Sequence, residues 1–88
     1  MVKAIVIAAE AGESRFACET DNGLCAVFTQ VSGPAVEAGD ILDGAVLSLG
    51  PQTLHRAGEE CLALGESAML CRADALALLK APAPFRSA

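Results

Sequence analysis

The sequence contains no tryptophan, no tyrosine and only three phenylalanines. So few aromatics leave little with which to stack exposed nucleic-acid bases. Positive charge is also scarce, with six Lys and Arg against eleven Asp and Glu and a formal net charge of -5. That balance opposes binding that works mainly by neutralising phosphates. No apolar run approaches the roughly 20 residues a bilayer-spanning helix needs. Neither of two phosphate-cradling patterns, G-x-G-x-x-G and G-x-x-x-x-G-K-[ST], occurs, and the G-x-S-x-G nucleophile elbow is missing as well. No enzyme class is indicated, and the expectation is that the chain is not an enzyme.

What is present is aliphatic bulk. Of 88 residues, 53% are hydrophobic, which is too much for intrinsic disorder. The length allows one domain. Eighteen alanines each bury little area, so the core rests on eleven Leu, six Val, three Ile and three Phe. A core of that size closes one barrel or covers one sheet and leaves little room for a deep substrate cavity. Abundant Ala, with Arg outnumbering Lys by four to two, has a bacterial flavour.

Ala4 to Ala9 forms an apolar stretch near the start. It is shorter than the roughly 7–15 residues of a secretory apolar region, and its β-branched residues read as a buried first strand from Val2 to Ala9. The expected compartment is the cytoplasm, with Cys18, Cys25, Cys61 and Cys71 as reduced thiols.

Turn signals recur along the chain, the first at Glu10–Glu13. Asp21-Asn22-Gly23 separates Arg15–Thr20 from Leu24–Thr29, and Asn-Gly between two such runs predicts a β-hairpin. With Asn22-Gly23 as a two-residue loop, Cys18 faces Val27. Phe16, Cys18, Cys25 and Val27 then share the core face, and Phe28 points the other way from Phe16. A loop is expected at Val31–Pro34, and further turns at Glu37–Asp40 and Gly50–Gln52. Ile41-Leu42 and Ala45–Leu49 read as strand, with Gly44 between them. Thr53–Arg56 and Cys61–Leu64 follow. Ser67–Cys71 is open, either a last strand reached across Gly65-Glu66-Ser67 or the start of a longer helix capped by Ser67.

Arg72–Lys80 holds strong helix formers and no β-branched residue. Asp74 in its first turn and Lys80 in its last suit the macrodipole. Leu76 and Leu79 are the expected anchors. Leu78 lies about 160–200° from Leu76 on a 3.6-residue helix, so it is the candidate for an exposed apolar contact. Pro82 and Pro84 follow, and residues 81–88 are expected to be an extended tail beyond a globular domain of residues 1–80.

The cysteines lack zinc-site spacing, because Cys18 and Cys25 are separated by six residues and Cys61 and Cys71 by nine, where C-x2–4-C pairs are wanted. They read as four small buried hydrophobes. His55 reads as a solvated residue, and the Asp40/Asp43 and Glu59/Glu60 pairs as solvated edges. No metal or other cofactor is expected, and no small-molecule substrate or membrane is implied.

The expected fold is α+β: a small, strongly curved antiparallel sheet of five to six strands, barrel or sandwich, with one C-terminal helix. The expected function is a non-enzymatic interaction or structural module, such as an accessory protein of a larger phage- or mobile-element-encoded assembly. Its partner would be another protein or a second copy of itself. The alternative is a nucleic-acid-binding small barrel of the OB or SH3-like kind, and the third reading is a thiol or metal-binding protein.

Overall fold

The computed structural model describes residues 2–10, 14–33 and 35–80. Of the turn expected at Glu10–Glu13, Glu10 ends the first strand, while residues 11–13 and the expected tail at 81–88 lie outside the described residues. Six strands, β1 (Val2–Glu10), β2 (Arg15–Thr20), β3 (Cys25–Ser32), β4 (Ile41–Gly44), β5 (Gly50–Arg56) and β6 (Glu59–Leu70), precede one helix, α1 (Arg72–Lys80). The strands close a barrel in the order β1-β2-β3-β6-β5-β4, and all pairings are antiparallel. Closure removes most of the open sheet edge, with the thinnest seam between β4 and β5, which pair at Asp43 and His55.

The β2–β3 hairpin forms where the Asn-Gly signal places it, with a register one residue away from the two-residue expectation. Phe16 pairs with Phe28 and Cys18 with Ala26. Thr20 and Leu24 close a three-residue loop through Thr20 N–H to Leu24 O at 2.9 Å and Gly23 N–H to Thr20 O at 3.0 Å. Gly23 takes φ +84°, whereas Asn22 does not adopt positive φ, so the turn is not the primed two-residue kind. Because strand side chains alternate, this single step exchanges the faces of one whole strand. Phe16, Cys18, Ala26 and Phe28 face the interior, while Ala17, Cys25 and Val27 face outward. Cys18 and Cys25 therefore sit on opposite sides of the wall. The Phe16 and Phe28 rings stack inside with centroids 5.6 Å apart.

The interior is filled by Phe16, Phe28, Leu42, Leu54, Val6 and Val46, each under 2% exposed. Val36 and Val46, beyond opposite ends of β4, pack into the same cluster. The expected strand at Ala45–Leu49 is instead a turn-containing connection, closed by Ser48 N–H to Ala45 O at 3.1 Å. The expected turn at Gly50–Gln52 is the start of β5. Pro51 is tolerated there because β4 meets β5 only at Asp43 and His55, so its missing N–H disrupts no inner ladder. The expected loop at Val31-Ser32 belongs to β3, whereas the Glu37–Asp40 turn forms as expected, with Asp40 N–H to Glu37 O at 3.1 Å.

Ser67–Leu70 is strand, and no hairpin forms at Gly65–Ser67. β6 runs unbroken through Gly65 and bends by register shifts against β3. Gly65 is required by proximity: a Cβ there would run into the Ser48 carbonyl oxygen and stand 3.0 Å from the Leu49 Cα. The 45–49 connection thus crosses directly over the bend.

α1 spans Arg72–Lys80, as its composition predicts. It lies on the outside of the barrel, where Ala75 and Leu79 are buried against Ala17, Cys25 and Val27. Leu79 is an anchor as expected, whereas Leu76 is half-buried and Ala75 takes the second anchoring place.

Two glycines separate two kinds of cost. Gly23→Ala meets nothing within 4 Å and pays only for positive φ, about 1–2 kcal/mol. Gly65→Ala must displace backbone and should cost more, about 3 kcal/mol. Urea midpoints of the two variants test this order, and equal midpoints would contradict it.

Candidate interaction surface

The outer wall of the barrel divides into a part covered by α1 and a part left in water. The covered part is organised by Arg15. Its side chain is fully buried and donates to both carboxylate oxygens of Glu66, from Nε at 3.0 Å and from Nη2 at 2.9 Å. It also donates from Nη2 to the Leu78 carbonyl at 3.0 Å and from Nη1 to the Leu79 carbonyl at 3.4 Å. Thr29 Oγ1 donates to Glu66 Oε2. Barrel and helix end are thereby joined through one guanidinium, which suits a helix C-terminus where carbonyls lack partners.

A second ion pair marks the other end of the helix. Arg72 donates to Glu19, and the Cys25 thiol donates to the same carboxylate. The Arg72 bond holds Glu19 below its ordinary range. Arg56 pairs with Asp40 at 2.8 Å and with Glu59 at 3.2 Å, and donates to the Ala35 carbonyl at 2.8 Å, which ties the loop before β4 to the β5–β6 hairpin. The Glu37 N–H, followed by Arg56, holds Asp40 below its ordinary range. Arg15, Arg56 and Arg72, all the arginines among the described residues, are thus engaged in ion pairs. Both described phenylalanines, Phe16 and Phe28, are inside, so among the described residues no phenylalanine ring is exposed.

The uncovered wall carries large apolar side chains: Val31 is 61% exposed, Leu49 62% and Leu62 45%. Leu64 pairs with Thr29 of β3 and with Pro51 of β5, and Leu62 pairs with Thr53. Val31, Pro51, Thr53, Leu62 and Leu64 line a shallow depression of about 270 Å³ whose lining holds no charged residue. Sequence patterning does not reveal this patch, because it depends on which strands become neighbours. A wider groove of about 940 Å³ lies over β1, lined by Ile5, Ile41, Lys3, Glu19 and Asp21. Its walls carry both signs of charge, and Glu19 is already held by Arg72.

Leu78, the candidate for an exposed apolar contact, is half-buried and packs on the helix-side cluster, as Ile7 and Leu70 also do. The reason is that α1 seats on Ala75 and Leu79 instead of Leu76, and Leu78, three residues after Ala75, flanks that seated face. His55 is half-buried opposite Asp43 and Glu60. The four cysteines are free, and the expectation that all are buried holds for three: Cys18 inside, Cys61 inside, Cys25 under the helix, with Cys71 exposed. Burial pushes the Cys18 thiol up to about 12 and raises Cys25 and Cys61 as well. Among the described residues, no group of three or more His, Cys, Asp or Glu side chains converges in a way that could hold a metal ion. No helix among them is long and apolar enough to cross a membrane.

No known protein-family model matches the chain, and neither does any curated protein or any solved structure.

Two measurements probe this arrangement. Arg15→Met leaves Glu66 buried without its cation and should cost about 3–5 kcal/mol, while Arg15→Met combined with Glu66→Leu should recover most of that loss. Additive losses in the double variant would show that the two residues do not act as a pair. Ellman's reagent should titrate one thiol, Cys71, rapidly in the native protein and all four after denaturation without reductant. Rapid modification of three thiols would contradict the burial of Cys18, Cys25 and Cys61.

Proposed function

We propose that the protein is a non-enzymatic interaction or structural module, and that it binds another protein through the uncovered outer wall of β3, β5 and β6. The observation that carries this reading is the placement of bulk. The rings and large aliphatic side chains fill the barrel, while Val31, Leu62 and Leu64 stand together on its outside around Pro51. A small domain that keeps such a cluster in water has a use for it, since contiguous exposed apolar patches mark interaction sites. The filled interior leaves the wall, not a cavity, as the working surface. The engaged arginines and the net charge of -5 weigh against a nucleic-acid partner.

The charge-free lining of the depression fits a partner that offers apolar side chains. An accessory role in a larger assembly in the bacterial cytoplasm suits a domain of this kind, with its thiols kept reduced. Leu62→Asp tests the reading. The residue is on the surface, so stability should change by no more than about 0.5 kcal/mol, while concentration-dependent self-association or retention of a co-purifying protein should be lost. Leu78→Asp provides the contrast. It drives a charge into the helix-side cluster and should cost about 1–3 kcal/mol. A wild-type chain that stays monomeric and retains no protein, or association that survives Leu62→Asp, would remove this surface.

A further inference from the structure

Cys71 is the exposed cysteine of the four, and it stands where β6 gives way to α1. Its carbonyl accepts the Ala75 N–H at 3.0 Å, so the helix begins on it. That start lies over a row of outward-facing residues on three strands. Glu19 of β2 pairs with Cys25 of β3, and Cys25 pairs with Leu70 of β6. The chain leaves the row at Leu70, passes through Cys71, and the Arg72 side chain returns to Glu19 at the far end. Residues 71 and 72 thus span the position of Cys25.

Strand alternation would aim Cys71 into the filled interior. Its exposure shows that the chain has turned outward instead, to the side of the wall that holds Cys25. Opposed residues of an antiparallel pair have Cα atoms about 4.5–5.5 Å apart, so the residue after Leu70 lies about 6 Å from Cys25. A relaxed disulfide spans about 4.4–6.8 Å between Cα atoms. Burial raises the Cys25 thiol, and the negative charges of Glu19 and Cys71 raise it further, so the two sulfurs are within electrostatic reach. Cys18 and Cys61 face the interior, on the other side of the wall. The two helix ends are also held unequally. Arg15 is buried at the last turn, whereas Arg72 at the first is largely exposed, and an exposed ion pair holds little.

We propose that Cys71 and Cys25 are a thiol pair that a hydroperoxide closes to a disulfide, fastening the start of α1 to β3. The exposed Cys71 sulfur meets the oxidant first and attacks its O–O bond. An S–O bond forms, the O–O bond breaks, and the alcohol, or water from hydrogen peroxide, leaves with the thiol proton. The Cys25 sulfur then attacks the Cys71 sulfur, and the S–S bond forms as the S–O bond breaks. The departing hydroxide receives the Cys25 proton through the Glu19 carboxylate, to which that thiol already donates. Two thiols and one hydroperoxide give one disulfide, one alcohol and one water, and the two electrons lost by sulfur reduce the O–O bond. The pair lies apart from the apolar wall of β3, β5 and β6 and does not depend on a partner there.

The test adds hydrogen peroxide in slight molar excess to the fully reduced chain at low concentration. The thiol count in denaturant should fall from four to two, and the monomer should lose the mass of two hydrogens. Proteolytic fragments containing Cys25 and Cys71 should stay joined until reductant is added. Amide exchange at Ala75 should slow on oxidation. Cys71→Ser should keep all its thiols under the same treatment, with exchange at Ala75 unaltered by the oxidant. Cys25→Ala should leave Cys71 as a sulfenic acid that dimedone captures. A count that stays at four, or Cys71 carried on to sulfinic acid in the wild type, overturns the proposal. So does a bridge through Cys18 or Cys61, or a Cys71 disulfide between two copies.

Discussion

Arg15 holds the barrel and the helix in one arrangement. Its guanidinium has left water entirely, and removing such a charge from solvent costs several kcal/mol unless every donor is used in good geometry. A bidentate carboxylate from β6 and two carbonyls from the last turn of α1 meet that demand together. Each partner alone leaves donors unmet, so the bend of β6 that aims Glu66 and the seating of α1 are coupled through one side chain. A helix of nine residues is too short to persist in water, since nucleation costs more than so few bonds return. It is held by Leu79 and Ala75 beneath it and by Arg15 and Arg72 at its two ends. The pairing also fixes which part of the wall is covered and which is left open.

The hairpin shows how a small error in local chemistry propagates. Asn22-Gly23 marks a turn in either reading, because glycine at positive φ is needed in both a two-residue primed loop and a three-residue loop. The dipeptide does not distinguish them. The difference is one residue of register, and it decides whether Phe28 stacks on Phe16 inside or faces the helix. Thr20 tips the choice: its hydroxyl hydrogen-bonds to Asn22, and Leu24 N–H bonds back to that hydroxyl at 3.3 Å, which closes the larger loop. Those side-chain bonds form only when the loop holds three residues, and propensity alone does not weigh them.

Much of the architecture is legible from composition and periodicity: the curved antiparallel sheet, the single helix with its limits, the first strand and the Asn-Gly hairpin. The illegible parts depend on long-range neighbours. Gly65-Glu66-Ser67 has the composition of a turn, yet it is the middle of a strand. Gly65 is there because the backbone of Ser48 and Leu49 crosses it, and Glu66 because Arg15, 51 residues away in sequence, needs a carboxylate. Gly50-Pro51 likewise looks like a turn until the thin β4–β5 pairing makes room for a proline in the strand. In each case a residue that local statistics assign to a loop is kept in the sheet by a partner distant in sequence.

The same logic explains why charge and surface part company. The chain is acidic, yet its described arginines are spent inside the molecule: one under the helix, one at the helix start and one bracing the loop before β4. These contacts organise the fold and leave the acidic excess to water. The depression around Val31, Leu62 and Leu64 is lined without any charged group, so the recognition proposed for it would rest on removing apolar area from water and not on electrostatic steering. Binding of that kind is insensitive to moderate salt and depends on shape, which suits a lasting contact within an assembly better than a fast, charge-guided encounter.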